Sequence, residues 1–338
     1  MATGGRAWVL LAGLAAVVAA TAGEVRAQGR EKVSLAVGGV GASVYLQVDV
    51  AKALGLFEQE GLDADIQFQK GGAPAATALI SGSVDFSANA IDHALKARAR
   101  GKAVTMVVAF TELPGLVLMV NDRLKGQVKS PADLKGRTLG VSAPGSGTDI
   151  ILTYILHKHG IKRDETTIVG AGTNTFPPAL KGGKIDAGMT LDPYVGQILS
   201  EGYGFPLVDM RTRAGTEAVF GGPYMFTGLL TRDEVVREKP QLVQKVVNVF
   251  VKTNRWLASH TPEQVAEVLP ADLVRDPKAY ADAFRASKEI YPKVGRIPPE
   301  GIDAVYKAQE VFQPGNEELK GVKPTDLYTN RFVEAATK

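Results

Sequence analysis

The sequence predicts an α/β protein made of two similar lobes and a helical C-terminal part. Strand-like and helix-like segments alternate over residues 32–110, as in a mostly parallel sheet with helices on its faces. Residues 137–210 repeat the same order of segments. A phrase in the first region, "LISGSVDF" from Leu79, returns 101 residues later as "LKGGKIDA" from Leu180. These observations together favour a duplicated architecture.

In the first region, short runs rich in β-branched residues are predicted strands, and glycine ends the helices between them. Pro74 is expected to open a helix that Gly82 ends. The predicted strands cover residues 32–37, 62–69, 84–88 and 103–110, and the predicted helices cover residues 43–54, 74–80 and 91–100.

The second region follows the first at nearly one offset, since the helix-ending glycines Gly61 and Gly160 lie 99 residues apart. A matching order of flanking elements is better explained by duplication than by a chance match of one phrase. The predicted strands cover residues 137–142, 165–170, 184–189 and 205–210, and the predicted helices cover residues 146–159, 176–181 and 192–201.

Two apolar extended runs, residues 115–121 and 224–231, are predicted to cross between the lobes, because proline and glycine beside them suit hinges. We therefore expect lobe one at 28–117 plus 228–338, and lobe two at 118–227. Two lobes with two crossings form a clamshell that closes on a ligand. Further helices are predicted at 240–259, from 262 and 277 onward, at 300–312 and at 326–336.

The first 27 residues have the pattern of a secretory signal peptide. Arg6 precedes an apolar run over residues 8–22, and "VRA" ending at Ala27 is a small-residue cleavage site. The alternative, a membrane anchor, is disfavoured because a spanning helix needs about 20 apolar residues. We therefore expect a periplasmic protein, exported and cleaved near Ala27. The chain has no cysteine, so folding there requires no disulfide.

Composition and motifs argue against several function classes. The net charge is +3 with acids and bases interspersed, so no basic run favours a nucleic-acid partner. The sequence lacks a Gly-x-Ser-x-Gly motif, a Walker loop, a His-Glu-x-x-His motif and a complete dinucleotide fingerprint. His157 and His159 stand two apart in a predicted helix and so face different sides. We expect no catalytic residue, no metal and no cofactor.

The best binding feature is the loop "SAPGSGT" at 142–148, which follows a predicted strand and opens a helix. Ligands of such sheets bind at the carboxyl ends of strands, and helix N-termini attract anions. The alternative is that Ser146 or Thr148 only caps the helix. The predicted ligand-binding residues at such strand ends and on the returning crossover are Gly41, Ala42, Ser43, Asn89, Phe110, Thr111, Ser146, Gly147, Thr148, Asn174, Asp192, Tyr194 and Tyr224.

The aspartates of the repeated phrase have a structural interpretation. We expect Asp85 and Asp186 to accept backbone N–H groups where a helix hands over to a strand. Asn89 and Asp192 follow the two phrases and are assigned to opposite cleft walls. Asp192 stands before Pro193 and could equally begin a helix as its N-cap.

Four segments resemble the solute-binding proteins of ABC importers in the nitrate, sulfonate and taurine group, which includes thiamine-precursor binders. They are "AKALGLFEQEGLDADIQ" from Ala51, "ALISGSVDF" from Ala78, "SPADLKGRTLGVSAPGS" from Ser130 and "LKGGKIDAGMTLDPYV" from Leu180. The resemblance covers nearly the whole chain after the signal peptide. It implies a type II periplasmic-binding-protein fold, one small ligand in the cleft, and delivery to a membrane permease with a cytoplasmic ATPase. In the family, the loops here occupied by 41–43, Asn89 and 146–148 commonly touch ligand. We expect a monomer.

The predicted cleft loops carry few basic residues; Lys70, Arg211 and Arg213 are the nearest. We therefore expect a monoanionic organic ligand, a sulfonate or a carboxylate, rather than a dianion. One rival is an enzyme of the same fold, of the pyrimidine-precursor or menaquinone-pathway type. The cysteine-rich motif of the thiamine enzyme is absent, and predicted export fits neither cytosolic pathway. The other rival is a ligand-sensing module for a membrane receptor, which the sequence does not separate from transport.

Overall fold

The computed structural model of the protein describes residues 29–338. The predicted signal peptide and its cleavage point near Ala27 lie outside the described residues. Within that described range, no helix has the length and apolar character needed to cross a membrane. The strands are β1 (Glu31–Val37), β2 (Leu62–Phe68), β3 (Phe86–Ala90), β4 (Val104–Ala109), β5 (Leu116–Asn121), β6 (Thr138–Val141), β7 (Thr167–Gly170), β8 (Ala187–Leu191), β9 (Gly204–Asp209) and β10 (Thr227–Arg232).

The helices lie between these strands and after the last of them. They are α1 (Leu46–Ala53), α2 (Leu56–Gln59), α3 (Gly72–Ile80), α4 (Asp92–Ala99), α5 (Gly147–Lys158), α6 (Phe176–Lys181), α7 (Tyr194–Ser200), α8 (Arg213–Phe220), α9 (Asp233–Glu238), α10 (Pro240–Ser259), α11 (Pro262–Val268), α12 (Pro277–Ala286), α13 (Ile302–Phe312) and α14 (Arg331–Ala336).

The strands form two five-stranded sheets with matching order. Lobe one has the order β2-β1-β3-β10-β4, and lobe two has the order β7-β6-β8-β5-β9. In each sheet the fourth strand runs antiparallel to both of its neighbours. That strand, β10 or β5, contains most of a predicted crossover run and enters its sheet from the other lobe. The predicted duplicated α/β architecture is therefore confirmed.

Burial explains why these segments form strands of the two sheets and a long covering helix. All six residues of β4 and of β5 are buried, and both strands read as nearly continuous apolar runs. Helix α10 presents one apolar face to lobe one. All six apolar positions predicted for that face are buried: Leu242, Val243, Val246, Val247, Phe250 and Leu257.

The repeated phrase forms the same joint in both lobes. The Asp85 carboxylate accepts from the Ser34 amide at 3.0 Å and from its hydroxyl at 2.8 Å, and the Asp85 amide donates to the Ser34 carbonyl. In lobe two, the Asp186 carboxylate accepts from the Thr138 amide at 2.9 Å, and the Asp186 amide donates to the Thr138 carbonyl. The structural prediction for both aspartates is confirmed, because Asp85 ties its phrase to β1 and Asp186 ties its phrase to β6.

The Asp85→Ala substitution should lower the free energy of unfolding by about 1–3 kcal/mol, because the Ser34 amide loses its acceptor. Urea unfolding measures this change. The matched control is Asp65→Ala, since within residues 29–338 the exposed Asp65 carboxylate accepts only from the nearby Gln67 side-chain amide, and its effect should stay within about 0.5 kcal/mol. Equal losses in the two variants would contradict a structural role for Asp85.

Some predicted boundaries differ from the structure for local reasons. The strand predicted over 84–88 begins at Phe86, because Asp85 is engaged in the joint. The helix predicted from Asp192 begins at Tyr194. The helix predicted over 326–336 is confined to Arg331–Ala336, and a separate short turn covers Pro324–Asp326.

Candidate functional site

A cavity lies between the lobes, at the carboxyl ends of strands from both sheets. Its volume is about 20 Å³, which is room for about one water molecule. An organic ligand therefore requires the lobes to separate further than in this closed form. The cavity is lined by Gly38, Ala42, Val44, Tyr45, Gly72, Asn89, Ala90, Leu116, Ser142, Ser146, Gly147, Thr148, Thr173, Leu191 and Phe226.

Five of the predicted ligand-binding residues line this cavity: Ala42, Asn89, Ser146, Gly147 and Thr148. Asn89 supports the wall in lobe one, where its Nδ2 donates to the Gly72 carbonyl at 2.8 Å. Glycine is required at position 72, because a Cβ there would lie 2.5 Å from Asn89 Oδ1.

The hydroxyl groups of the loop before α5 and of its first turn form hydrogen bonds within the protein. Thr148 Oγ1 accepts from the Ser142 amide at 3.1 Å and lies 2.9 Å from Ser142 Oγ. Ser146 Oγ accepts from the Ala73 amide at 2.9 Å, across the cleft. Ser146 makes no side-chain capping bond to α5. Its hydroxyl therefore links the two lobes rather than capping its own helix.

The charged groups nearest the cavity compensate each other. Lys96 Nζ lies 2.8 Å from Asp92 Oδ2 and 2.6 Å from the Gly145 carbonyl of lobe two. Burial raises the pKa of Asp92, but Lys96, His93 and a backbone hydrogen bond together outweigh burial, and the pKa lies below its usual value. Burial, helped by Lys96, lowers the pKa of His93 to about 4, so its imidazole is neutral at pH 7.

Asp192 joins the lobes through backbone and side chain. Its carbonyl accepts from the Ser43 amide at 2.9 Å. Its carboxylate accepts from Arg211 Nη1 at 3.1 Å, from Ser287 Oγ, and from the Gly196 amide at 3.3 Å. Burial raises the pKa of Asp192, and Arg211 and Ser287 partly offset this effect. The carboxylate is thus engaged between lobes, outside the cavity lining.

Two further predicted residues, Asn174 and Tyr194, line an outer groove of about 710 Å³ between the lobes. Tyr194 Oη donates to the Val40 carbonyl at 2.7 Å, and both residues line this groove. Gly41 lies beside that bond, because a Cβ on it would be 3.2 Å from Tyr194 Oη.

The remaining predicted residues lie in packed surroundings. Phe110 is fully buried against Phe250, with ring centroids 4.7 Å apart. Thr111 Oγ1 lies 2.8 Å from Thr227 Oγ1. Tyr224 is buried in an aromatic cluster with Phe220, at 4.4 Å between centroids. Ser43 is buried where its amide meets Asp192.

Several lining residues were missed by sequence reasoning, chiefly Tyr45, Gly72, Thr173, Leu191 and Phe226. The rule that ligands bind at the carboxyl ends of strands predicted Gly41, Ala42 and Ser43 in the loop before α1. Tyr45 lies two residues further along the chain and was not predicted. The helix predicted from Pro74 begins two residues earlier, at Gly72, and Gly72 lines the cavity. Leu191 carries no polar signal in sequence and enters the lining because it ends β8.

Ser146→Ala should move the protein without ligand toward a more open form. Loss of the bond from the Ala73 amide removes about 1 kcal/mol from the closed form, which changes the ratio of closed to open molecules about fivefold. Spin labels at Asp63→Cys and Lys184→Cys, both exposed, report the distance between lobes. Ser81→Ala, an exposed serine in lobe one, is the control. Identical distance distributions for the two alanine variants would contradict the link.

The family model described as NMT1/THI5 like matches residues 44–264. A Brucella abortus protein named as a candidate binding protein is 30% identical over 221 residues, which are 65% of this chain and 65% of that protein. A Saccharomyces cerevisiae 4-amino-5-hydroxymethyl-2-methylpyrimidine phosphate synthase is 27% identical over 221 residues, 63% of each chain. The chain therefore matches slightly less than two thirds of the length of these relatives.

Solved structures extend the likeness to most of the chain. A Bordetella bronchiseptica RB50 protein has a TM-score of 0.87 at 32% identity, covering 91% of this chain and 98% of that one. The alkanesulfonate-binding protein SsuA of Xanthomonas axonopodis pv. citri, bound to MOPS, has a TM-score of 0.68 at 19% identity, covering 88% and 98%. The periplasmic nitrate-binding protein NrtA of Synechocystis PCC 6803 has a TM-score of 0.73 at 12% identity, covering 90% and 88%.

The two neighbours of lower identity share the fold with this chain, and their names are those of binding proteins. The predicted type II periplasmic-binding-protein fold and the predicted resemblance to the nitrate and sulfonate group are both confirmed. Because the family model covers well over half of the described residues, the protein belongs to the NMT1/THI5-like family.

Proposed function

We propose that the protein is the periplasmic solute-binding component of an ABC importer. It captures a small organic ligand with one anionic group, a sulfonate or a carboxylate, and delivers it to a membrane permease coupled to a cytoplasmic ATPase. The protein acts as an exported monomer without catalytic chemistry, and its lobes are 28–117 plus 228–338 and 118–227. The observation that supports this proposal most is the cavity between two matching sheets, lined by apolar and uncharged polar side chains.

Bonds that cross the cleft support a clamshell. Ser146 with Ala73, Lys96 with Gly145, and Asp192 with its lobe-one partners hold the closed form together. Other contacts join the lobes as well, such as Tyr194 Oη with the Val40 carbonyl and the Arg213 amide with Glu289, and all of these break when the lobes separate. A ligand that bonds both walls then favours a form in which both lobes contact it, with the lobes further apart than here, through its differential affinity for that form.

A thermal-shift screen of small sulfonates, carboxylates, nitrate and pyrimidines tests the proposal, since a ligand that binds only the folded state raises the unfolding temperature by mass action. We expect organic monoanions to give the largest shifts. Stabilisation by inorganic oxyanions alone would contradict an organic ligand. A screen in which no compound shifts the unfolding temperature would contradict a binding function of this kind.

The yeast relative supports a second candidate, because its name is that of a synthase at 27% identity to this chain. An enzyme and a binding protein differ in what happens to a bound compound. Each compound that stabilises the protein should be recovered unchanged, as mass spectrometry after prolonged incubation can measure. Recovery of a product would favour the enzyme. A receptor-bound sensing role would instead be favoured if the stabilising compound were not taken up by the matching transporter.

A further inference from the structure

Residues 261–291, here called the strap, lie between the two lobes outside the cavity. The strap contains α11, α12 and the turn that follows them, and it continues directly from α10 of lobe one. Its far end is also bound to lobe one. The Glu112 amide donates to the Ile290 carbonyl at 2.8 Å, and Tyr291 Oη donates to the Ser43 carbonyl at 2.9 Å. Both ends of the strap are therefore fixed to lobe one.

The side of the strap that faces lobe one is apolar. Val265, Ala281 and Phe284 of the strap are buried in one cluster with Leu46 and Val50 of α1. This cluster is separate from the main core of the protein. Burial of apolar surface is the dominant favourable term in folding and association. Separation of the strap from lobe one would expose this whole cluster to water, so we expect the strap to stay on lobe one.

The side that faces lobe two makes a narrow contact. Helix α12 touches α7 of lobe two where a Cβ on Gly196 would lie 3.5 Å from the Cβ of Ala283. The outer groove of about 710 Å³ lies beside this contact, and Tyr280 of the strap and Tyr194 of lobe two both line it. Much of the strap therefore faces lobe two across a groove rather than through packed side chains.

Two polar contacts complete the attachment to lobe two. Ser287 Oγ donates to the Asp192 carboxylate, and both side chains are buried. The Glu289 carboxylate accepts from the Arg213 amide at 3.0 Å, at an exposed position. When such bonds break, their groups regain hydrogen bonds to water, so each bond contributes little net free energy compared with an apolar cluster. The strap should therefore separate from lobe two more readily than from lobe one.

We propose that the strap is a latch on the cleft: it stays packed on lobe one, and the lobes open only when it releases α7 of lobe two. The bond from Ser287 to Asp192 holds this latch closed. The proposal goes beyond ligand capture, because it places the control of opening at the contact between α7 and α12, outside the cavity. It also assigns Ser287 to closure of the lobes rather than to the ligand.

Single cysteines test which side of the strap separates, since the chain has no cysteine of its own. Ala283→Cys places a thiol on the side of α12 that faces lobe two. The matched variant Ala281→Cys places one in the lobe-one cluster, and the two alanines are 5% and 3% exposed. Iodoacetamide should modify Ala283→Cys at least about tenfold faster than Ala281→Cys, because local opening exposes only the first thiol. Equal rates, or faster modification of Ala281→Cys, would overturn the proposal.

Ser287→Ala tests the latch bond. In the Ala283→Cys protein it should raise the rate of modification about 10- to 100-fold, as expected for loss of a hydrogen bond to a charged group. In the Ala281→Cys protein it should raise the rate much less. Ser259→Ala, at an exposed serine in α10, is the control and should change neither rate. An equal rise in both cysteine proteins would show a general loss of stability and would overturn the role of Ser287.

A disulfide between the strap and lobe two tests whether the latch controls the lobes. The 3.5 Å between a Cβ at Gly196 and the Cβ of Ala283 matches the Cβ separation of disulfides, about 3.5–4.5 Å. We therefore expect Gly196→Cys combined with Ala283→Cys to form an intramolecular disulfide on mild oxidation. Failure to form it would contradict the contact between α7 and α12.

Hydrogen exchange of the oxidised and reduced forms of this double variant then reports opening. The Ser43 and Ala73 amides donate to lobe two across the cleft, so their exchange should be slower in the oxidised form, while α10 amides should exchange equally in both. Equal exchange of Ser43 and Ala73 in the two forms would show that the lobes open without release of the strap. These measurements use no ligand, so their failure would remove the latch and leave the binding function to the thermal-shift screen.

Discussion

Arg211→Ala is expected to lower the free energy of unfolding by about 3–5 kcal/mol, because it leaves the Asp192 carboxylate buried between the lobes without its cation. The side chains of Asp192 and Arg211 are 2% and 13% exposed, and Arg211 Nη1 lies 3.1 Å from Asp192 Oδ2. Without Arg211, only the Ser287 hydroxyl and the Gly196 amide still donate to this carboxylate. Urea unfolding at pH 8 measures the loss.

The pH dependence of this loss has a definite sign. Burial already raises the pKa of Asp192 above its usual value, and removal of Arg211 raises that pKa further. A raised folded-state pKa gives stability that is present at low pH and lost as pH rises. The deficit of Arg211→Ala relative to the wild type should therefore be smaller at pH 5 than at pH 8.

The control for this prediction uses the other partner of Arg211. Arg211 Nη2 also lies 2.6 Å from Asp209, whose side chain is 38% exposed. Asp209→Ala should therefore cost less than about 1 kcal/mol. Addition of Asp192→Asn to Arg211→Ala should recover part of the lost stability, because the buried charge is gone. A loss in Arg211→Ala no larger than in Asp209→Ala would show that the buried pair contributes little.

The fold was predictable because its determinants are local. Hydrophobic period, glycine positions and the spacing of the repeated phrase indicate most strands and helices. Asp85 and Asp186 stand in the phrase, but their partners Ser34 and Thr138 lie about 50 residues earlier. The two crossover runs were predicted, but their place as the antiparallel fourth strand of each sheet was not. Boundaries shifted by a few residues wherever a side chain bonded outside its own segment, as at Asp192.

The site was less accessible to sequence reasoning, because it depends on which side of a loop faces the other lobe. The short turn Ser43–Tyr45 illustrates this limit. The strand-end rule identified the turn, but only the folded chain brings Tyr45 to the cavity while the Ser43 amide meets Asp192. The Asp192 carboxylate pairs with Arg211 and Ser287. These partners lie in other segments of the sequence, and no local pattern connects them to Asp192.

Asp49→Asn should stabilise the protein at pH 8 by on the order of 2–4 kcal/mol. Burial is the main reason that the pKa of Asp49 rises to about 7; the nearby Asp272 carboxylate adds to the rise and Lys52 opposes it. The native state therefore holds a proton that the unfolded chain, with an aspartate pKa near 3.9, releases earlier. The stability from this proton is complete below about pH 4 and is lost as pH rises through 7.

Asparagine keeps the shape of the side chain and has no charge to lose. The stability of Asp49→Asn relative to the wild type should therefore increase between pH 5 and pH 8, as urea unfolding at the two pH values measures. Asp63→Asn, at an exposed aspartate, is the control and should change stability by less than about 0.5 kcal/mol at both. Asp49 also raises the pKa of Tyr194 and of Tyr280, so its charge lies beside the contact between the lobes. A difference between Asp49→Asn and the wild type that does not change with pH would mean that Asp49 is hydrated in the folded protein.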